Sequence, residues 1–371
     1  MKYHIITFGC QMNKSDSERI ATVLETAGYK KSSSPERANL VIVNFCSVRQ
    51  AAVDKALSQI QKLKFKSQKC KSKVKIVATG CILKADKKKL APIVNYILSI
   101  KNLAKWPKIL SSRGPTSFQS LSPSPWEVGP LLARSRDSLN YLKIKPSYKT
   151  FPKAFVPISF GCNNFCTYCV VPYTRGQEIH RKEKEILDEI KNLIAKKYNH
   201  TTLLGENVNS YPNFVGLLQK ITAIKGNFRV NFMAANPHNF NDELIKEIAK
   251  NPKLEKYLHL PLQSGDNAIL KTMKRPYTAS QYIKLIAKIK KQIPGVKIVT
   301  DIIVGFPGET KKAFQNTVNV FNKVGFYQAY ISKYSPRPGT AAFFLKDTVP
   351  TEEKSQREQR LIKILHDAKS K

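Results

Sequence analysis

Two successive series of short apolar runs, each run followed by a helix-length stretch, constrain this chain more than any other feature. In the first hundred residues the runs are Tyr3–Phe8, Leu40–Val43 and Val74–Ala78, with a shorter one at Tyr96–Leu98. A helix is expected to run through Ala27, with Asn13 and Ser15 as caps and Gly28 closing it, and another over Ala51–Leu63. Strands that alternate with helices call for a parallel sheet, because parallel neighbours need a crossover. A second series begins near Phe155. Its strands are expected at Phe155–Phe160, Thr202–Leu204, Arg229–Met233, Tyr257–Leu262, Val296–Val304 and Tyr327–Ser332, with helices such as Glu183–Lys196 and Ala279–Lys291 between them. Six such units suit a partial (β/α)6 barrel better than a closed eight-stranded one.

Residues 111–150 break both patterns. Ser111-Ser112, Gly114-Pro115, Ser122-Pro123-Ser124-Pro125 and Gly129-Pro130 read as a linker or an irregular wrap. The expected organisation is an α/β domain over 1–110, a linker over 111–150, the barrel over 151–345 and a charged helix within 346–371. A length of 371 residues accommodates two or three domains, and 42% hydrophobic residues can furnish their cores.

The charge balance points to a partner. Lys plus Arg number 63 against 26 Asp plus Glu, a net +37 spread along the chain. Nucleic acid is the leading anionic partner for such a surface; the bland alternative is a sequence that accepts Lys at any exposed position. The opening, Met1 to Cys10, has no cleavage-site pattern, and no stretch of about 18 apolar residues occurs, so no membrane span is expected. The reading is a cytoplasmic protein with reduced thiols, whose seven Cys serve as ligands or catalysts before disulfides.

Cys162, Cys166 and Cys169 form C-x3-C-x2-C directly after the first barrel strand, where barrel active sites assemble. Three thiolates hold three irons of a [4Fe–4S] cube and leave the fourth to a substrate. S-adenosylmethionine (SAM) can chelate that iron, and an electron then breaks its sulfonium C–S bond to give a 5′-deoxyadenosyl radical. The rival is a structural zinc site, but such sites close with four ligands. No fourth Cys or His lies close by, and His180 is eleven residues beyond Cys169. Cys10, Cys46 and Cys81 are 36 and 35 residues apart, yet each follows a predicted strand. Parallel strands align their carboxyl ends, so the three thiols are expected to converge and hold a second cluster. Three unrelated buried cysteines are the alternative. Cys70 has no such placement and reads as a bystander.

Further candidates follow later strands. Gly205 permits close backbone approach, and Glu206 can accept hydrogen bonds from the ammonium of a methionine moiety. Gln263 and Ser264 are expected within reach of a ribose. Asp301 and Gly305, in Asp301-Ile302-Ile303-Val304-Gly305-Phe306-Pro307-Gly308-Glu309-Thr310, suit an adenine or ribose, with Thr310 capping the next helix. Arg175 and Arg275 are cations for a SAM carboxylate or a substrate phosphate, or else solvated surface. Each of these turns has a purely structural reading as well.

Together these residues resemble the MiaB group of radical SAM methylthiotransferases. The matching stretches are Phe8-Gly9-Cys10-Gln11-Met12-Asn13, Asn44-Phe45-Cys46-Ser47, Gly80-Cys81, the run from Gly161 to Gly176, Asn207-Val208-Asn209-Ser210-Tyr211, Pro261-Leu262-Gln263-Ser264-Gly265 and Ser335-Pro336-Arg337-Pro338-Gly339-Thr340. The resemblance implies two [4Fe–4S] clusters and two SAM molecules per turnover. One SAM methylates a sulfur held at the cluster of Cys10, Cys46 and Cys81; the other is cleaved at the cluster of Cys162, Cys166 and Cys169. It further implies attack at C2 of an isopentenylated adenosine beside the tRNA anticodon, and a low-potential electron donor of flavodoxin or ferredoxin type. Relatives acting on threonylcarbamoyladenosine, and a non-enzymatic iron–sulfur or zinc RNA-binding protein, stay open as alternatives. Family members usually continue into a small RNA-binding TRAM domain, and the sequence stops at Lys371. The tRNA is then expected to be held through phosphate contacts, with Lys62, Lys64, Lys66, Lys69, Lys71, Lys73, Lys75 and Lys87–Lys89 as candidates.

Overall fold

The computed structural model describes residues 1–48, 50–69, 74–111 and 140–368. The chain divides into two compact units. The first comprises Met1–Phe151, Phe160–Asn163 and Val170–Arg181; the second comprises Pro152–Ser159, Asn164–Cys169 and Lys182–Lys371.

In the first unit β1 (Lys2–Thr7), β2 (Lys30–Lys31), β3 (Leu40–Cys46), β4 (Lys75–Cys81) and β5 (Tyr96–Ile97) form a parallel sheet in the order β2-β1-β3-β4-β5. Every residue of β3 is buried, the mark of a central parallel strand covered on both faces. Alternate residues divide between two cores. Leu40 and Ile42 join Ile20 and Leu24 of helix α1 (Gln11–Thr26). Val41, Val43 and Phe45 join Val53, Ala56 and Ile60 of helix α2 (Gln50–Lys69). Each fully buried aliphatic side chain contributes about 1.5–3 kcal/mol, so the strand's composition alone commits it to the centre.

Several expectations shift. Helix α1 starts earlier than expected: Cys10 is its N-cap, and Asn13 and Ser15 lie buried inside it. The cause is Asn13, whose side chain reaches back to the Cys10 amide as the third-residue member of a capping box. Cys46 and Cys81 are the last residues of their strands, not residues beyond them. Residues 112–139 of the expected linker, like Cys70, Lys71 and Lys73, lie outside the described residues. Residues 140–143 are helical, and Tyr141 and Leu142 are buried in the α1-side core with Phe160. This stretch belongs to the first unit and is not linker.

The short strands β7 (Ser159–Phe160) and β8 (Ile179–His180) precede and follow the C-x3-C-x2-C loop. In the second unit β6 (Lys153–Pro157), β9 (His200–Leu204) and β10 (Arg229–Phe232) form one parallel ladder. A second joins β11 (Tyr257–His259), β12 (Lys297–Val304) and β13 (Gln328–Lys333). The ladders meet through a bridge between Val230 and Leu254 and a 3.2 Å bond from the Ala235 amide to the His259 carbonyl. This is the open barrel expected of six β/α units. The intervening helices bury one stripe, as Glu183–Ala195 does with Ile186, Ile190 and Leu193.

The fourth barrel strand ends sooner than expected, because Pro261 has no amide to donate. Gln263 rejoins β12 by an isolated bridge to Ile302, and Asp301 lies within β12 rather than at its end. The charged C-terminal helix, Thr351–Asp367, is anchored: Arg357 is buried and pairs with buried Glu309 at 2.6 Å. Among the described residues no helix is long and apolar enough to cross a membrane.

Candidate metal centres

The strand order reverses between β1 and β3, and parallel sheets bind ligands at the carboxyl ends flanking such a reversal. Cys10 follows β1, Cys46 ends β3 and Cys81 ends β4. Cys46 and Cys81 are register partners on adjacent strands, so their side chains share a face. Gly9 brings the third thiol alongside. Its φ of +137° suits glycine, and a Cβ there would lie 2.9 Å from the Cys46 Cβ.

Hydrogen bonds fix each of these loops. Asn13 and Asn44 are fully buried and clasp one another: Asn13 Nδ2 donates to Asn44 Oδ1 at 3.1 Å, and Asn44 Nδ2 donates to the Asn13 carbonyl at 2.7 Å. The clasp ties the start of α1 to the end of β3. The Ser47 amide donates to the Cys81 carbonyl at 2.9 Å, and the Ser47 hydroxyl to Asp86 at 2.6 Å, tying the ends of β3 and β4. Burial pushes the Cys81 thiol well up, partly opposed by Arg175.

Arg175 is 3% exposed, so it is not the solvated or phosphate-seeking cation that sequence allowed. Its Nη2 pairs with buried Asp16 at 2.8 Å, its Nε donates to Cys81 Sγ at 3.1 Å, and its guanidinium lies 4.9 Å from the Phe160 ring centre. Tyr141 hydrogen-bonds Asp16 in turn.

The C-x3-C-x2-C loop crosses the division of the chain. Cys162 belongs to the first unit, and its amide donates to the Gly176 carbonyl at 3.1 Å. Cys166 and Cys169 belong to the second and share a turn, with a 2.9 Å bond from the Cys169 amide to the Cys166 carbonyl. Arg275 is half-buried, unlike Arg175. Its three donors go to Tyr277 Oη at 2.8 Å, the Pro261 carbonyl at 3.2 Å and Cys166 Sγ at 3.5 Å. Burial pushes the Tyr277 hydroxyl up to about 12, so it stays protonated and donates to the Pro261 carbonyl.

The other candidates divide. Gly205 follows β9, and a Cβ there would lie 2.5 Å from Ser159 Oγ, so close approach is its function; Glu206 beside it is half-buried. Gln263 takes a left-handed φ of +72° and exchanges backbone bonds with Asp301 and Ile303. Ser264 is fully buried and its hydroxyl accepts the Asp266 amide, so it shapes the turn and does not reach toward a ribose. The Gly305 amide donates to Glu309 at 2.6 Å, and Lys354 packs against this glycine. Its amide is thus unavailable to an adenine. Thr310 caps the next helix as expected.

His259, at the end of β11, is a site residue that sequence reasoning does not single out. Its Nδ1 accepts the Ala234 amide at 3.2 Å, and its Nε2 lies 2.8 Å from Asp301 Oδ2 without the alignment of a hydrogen bond. His259 therefore stands beside the Asp301 carboxylate. The signal is a His at the end of one barrel strand and an Asp on the next, too common a pattern to single out.

A Radical SAM superfamily model matches residues 156–321, and that of the Uncharacterized protein family UPF0004 matches residues 2–99. The tRNA-2-methylthio-N(6)-dimethylallyladenosine synthase of Carboxydothermus hydrogenoformans is 41% identical over 98% of this chain and 82% of its own length. The enzyme of that name from Caldicellulosiruptor saccharolyticus is 40% identical over 98% and 78%. The chain belongs to the radical SAM methylthiotransferase family. Fold likeness agrees: the radical SAM methyltransferase TsrM from Kitasatospora setae superposes with a TM-score of 0.65 over 92% of this chain and 77% of its own, at 15% identity.

Family membership brings SAM and one [4Fe–4S] cluster, and the donor set fits that group. Among the described residues no three His, Cys, Asp or Glu side chains gather closely enough for a single metal ion. A cube asks for something else, one thiolate per iron, and both cysteine sets offer thiols alone.

Proposed function

We propose that this chain is a methylthiotransferase acting at C2 of N6-dimethylallyladenosine beside the tRNA anticodon. The observation that carries the reading is the second thiol set. SAM cleavage needs only Cys162, Cys166 and Cys169, yet the first unit brings Cys10, Cys46 and Cys81 to the switch point of a parallel sheet. The relatives' names supply the substrate.

In this reading Cys162, Cys166 and Cys169 hold the cluster that binds SAM, and Cys10, Cys46 and Cys81 hold a second [4Fe–4S] cluster. When bound and reduced by a low-potential donor, the first supplies the electron that converts SAM to methionine and a 5′-deoxyadenosyl radical. An aromatic C–H resists acid–base chemistry, which is why radical chemistry suits the target. Glu206 accepts from the SAM ammonium in this reading, and Gly205 lets its loop pack against Ser159. Asp301, with His259 beside it, accepts from a ribose or an exocyclic amine. Arg175 and Arg275 each donate to a ligand sulfur. The isopentenylated base lies in a single-stranded loop, where extrusion into a pocket costs little. Lys62 and Lys88 are exposed and suited to phosphate contact; Lys64 is less so, since it donates to the Pro92 carbonyl.

The test is mass spectrometry of tRNA nucleosides from a deletion strain, with and without the gene restored. Loss of the methylthio form of dimethylallyladenosine, and its return, is expected. Loss confined to threonylcarbamoyladenosine would overturn the substrate assignment.

A further inference from the structure

Two non-glycine residues of the second unit take left-handed backbones next to each other: Phe165, with φ of +47°, and Lys274, with φ of +58°. Such conformations cost on the order of 1 kcal/mol or more and persist only where the surroundings impose them. Here they do. Thr167 donates its amide to the Met273 carbonyl at 3.2 Å and its hydroxyl to the Thr272 carbonyl at 2.9 Å, and accepts the Ala342 amide at 2.8 Å. Three segments are stitched together through one residue of the cluster loop. The result holds the Phe165 ring 44% exposed, with the Lys274 ammonium 6.0 Å from its centre, the outer limit of a cation–π contact. Beside it runs an open groove of about 600 Å³, lined by Asn267, Lys271, Lys274, Thr278 and Gln281 among others, with no carboxylate. Phe343 and Phe344, 41% and 82% exposed, follow Ala342.

We propose that this face binds the single-stranded loop of the RNA substrate. Phe165 stacks on an unpaired base, and Lys271 and Lys274 neutralise the flanking phosphates. The proposal rests on the tRNA reading above. An exposed aromatic bordered by cations and free of acids matches a base followed by its phosphates, the way single strands are held without sequence readout. A second copy of a chain with net charge +37 meets like charge here. Phe165 stands between Cys162 and Cys166 in the chain, so a base stacked on it is registered against the cluster loop itself.

The test uses the iron-loaded enzyme and a fluorescent anticodon stem-loop carrying dimethylallyladenosine, with binding read by anisotropy between about 50 and 200 mM salt. Phe165→Ala is expected to weaken binding about five- to hundred-fold, the range for loss of one stacked base, while Phe165→Tyr retains it. Lys271→Gln leaves the cluster loop untouched, Lys274→Gln removes only the ammonium over the Phe165 ring, and each is expected to flatten the log–log salt slope by about 0.7. Iron content and SAM binding are measured in parallel. If Phe165→Ala loses iron, Phe165→Leu and the lysine variants carry the test. Unchanged affinity and slope in variants of an enzyme that still modifies tRNA would overturn this inference and leave the proposed function standing. A wild-type enzyme that neither binds nor modifies the stem-loop overturns both. A dimer lost on Phe165→Ala would assign the face to a second copy instead.

Discussion

Cys10, Cys46 and Cys81 are brought together by three strands of a sheet and two crossovers, whereas Cys162, Cys166 and Cys169 sit within eight residues of one loop. The first set is a product of the fold, and any weakening of the sheet is a weakening of the site. The second is written in local chain geometry. Both nevertheless place one arginine against one thiol: Arg175 on Cys81 and Arg275 on Cys166. The two arginines differ in what else they touch. Arg175 neutralises a buried carboxylate, Asp16, while the side-chain and backbone partners of Arg275 are the neutral Tyr277 hydroxyl and Pro261 carbonyl.

The largest test of this comparison is iron stoichiometry. Anaerobically reconstituted enzyme is expected to hold about eight irons, falling by about half when either triad is changed to Ala. Only loss of Cys162, Cys166 and Cys169 is expected to end reductive SAM cleavage, read as 5′-deoxyadenosine. A wild-type value near four would remove the second cluster from the picture.

The arginines come next. Arg175→Ala strands Asp16 in the interior and is expected to cost about 3–5 kcal/mol in denaturant unfolding. Arg275→Ala leaves the Tyr277 hydroxyl, the Pro261 carbonyl and Cys166 Sγ without this donor but strands no buried carboxylate, and is expected to cost about 1–3 kcal/mol. Equal losses would erase the distinction between a structural ion pair and a local tether. Smaller still, Asn44→Ala opens the Asn13–Asn44 clasp at about 1–3 kcal/mol, with iron lost from the first set before the second. Parallel loss from both would show that the sets are not independently supported. The mildest change is His259→Gln, which removes the ring beside Asp301 and the acceptor of the Ala234 amide. SAM affinity is expected to fall about tenfold or less, the worth of one hydrogen bond, with iron content unchanged.

Much of this was legible in the sequence. The parallel sheet, the six-stranded open barrel and the Cys10, Cys46 and Cys81 placements follow from periodicity and from where strands stop. The partners of Arg175 and Glu309 are not legible in the sequence, because they lie far away along the chain. Asp16 is 159 residues from Arg175 and Glu309 is 48 from Arg357. No local pattern announces such pairs. Tyr141 and Leu142 read as linker in the sequence because a Pro- and Ser-rich run precedes them, and composition averages over the few side chains that pack. The Asn13–Asn44 clasp was invisible for a related reason: an Asn near a helix start looks like a cap whether it caps or bridges.

The pairing of Cys46 with Cys81 has a consequence for how genes of this kind can drift in length. Side chains alternate faces along a strand, so deleting one residue within Leu40–Cys46 turns Cys46 to the opposite side of the sheet while leaving its neighbours hydrogen-bonded. The same deletion in the stretch between the two strands leaves both thiols where they are. Length changes in this part of the gene are therefore expected to collect between β3 and β4 and to be absent from the seven codons that end in each cysteine.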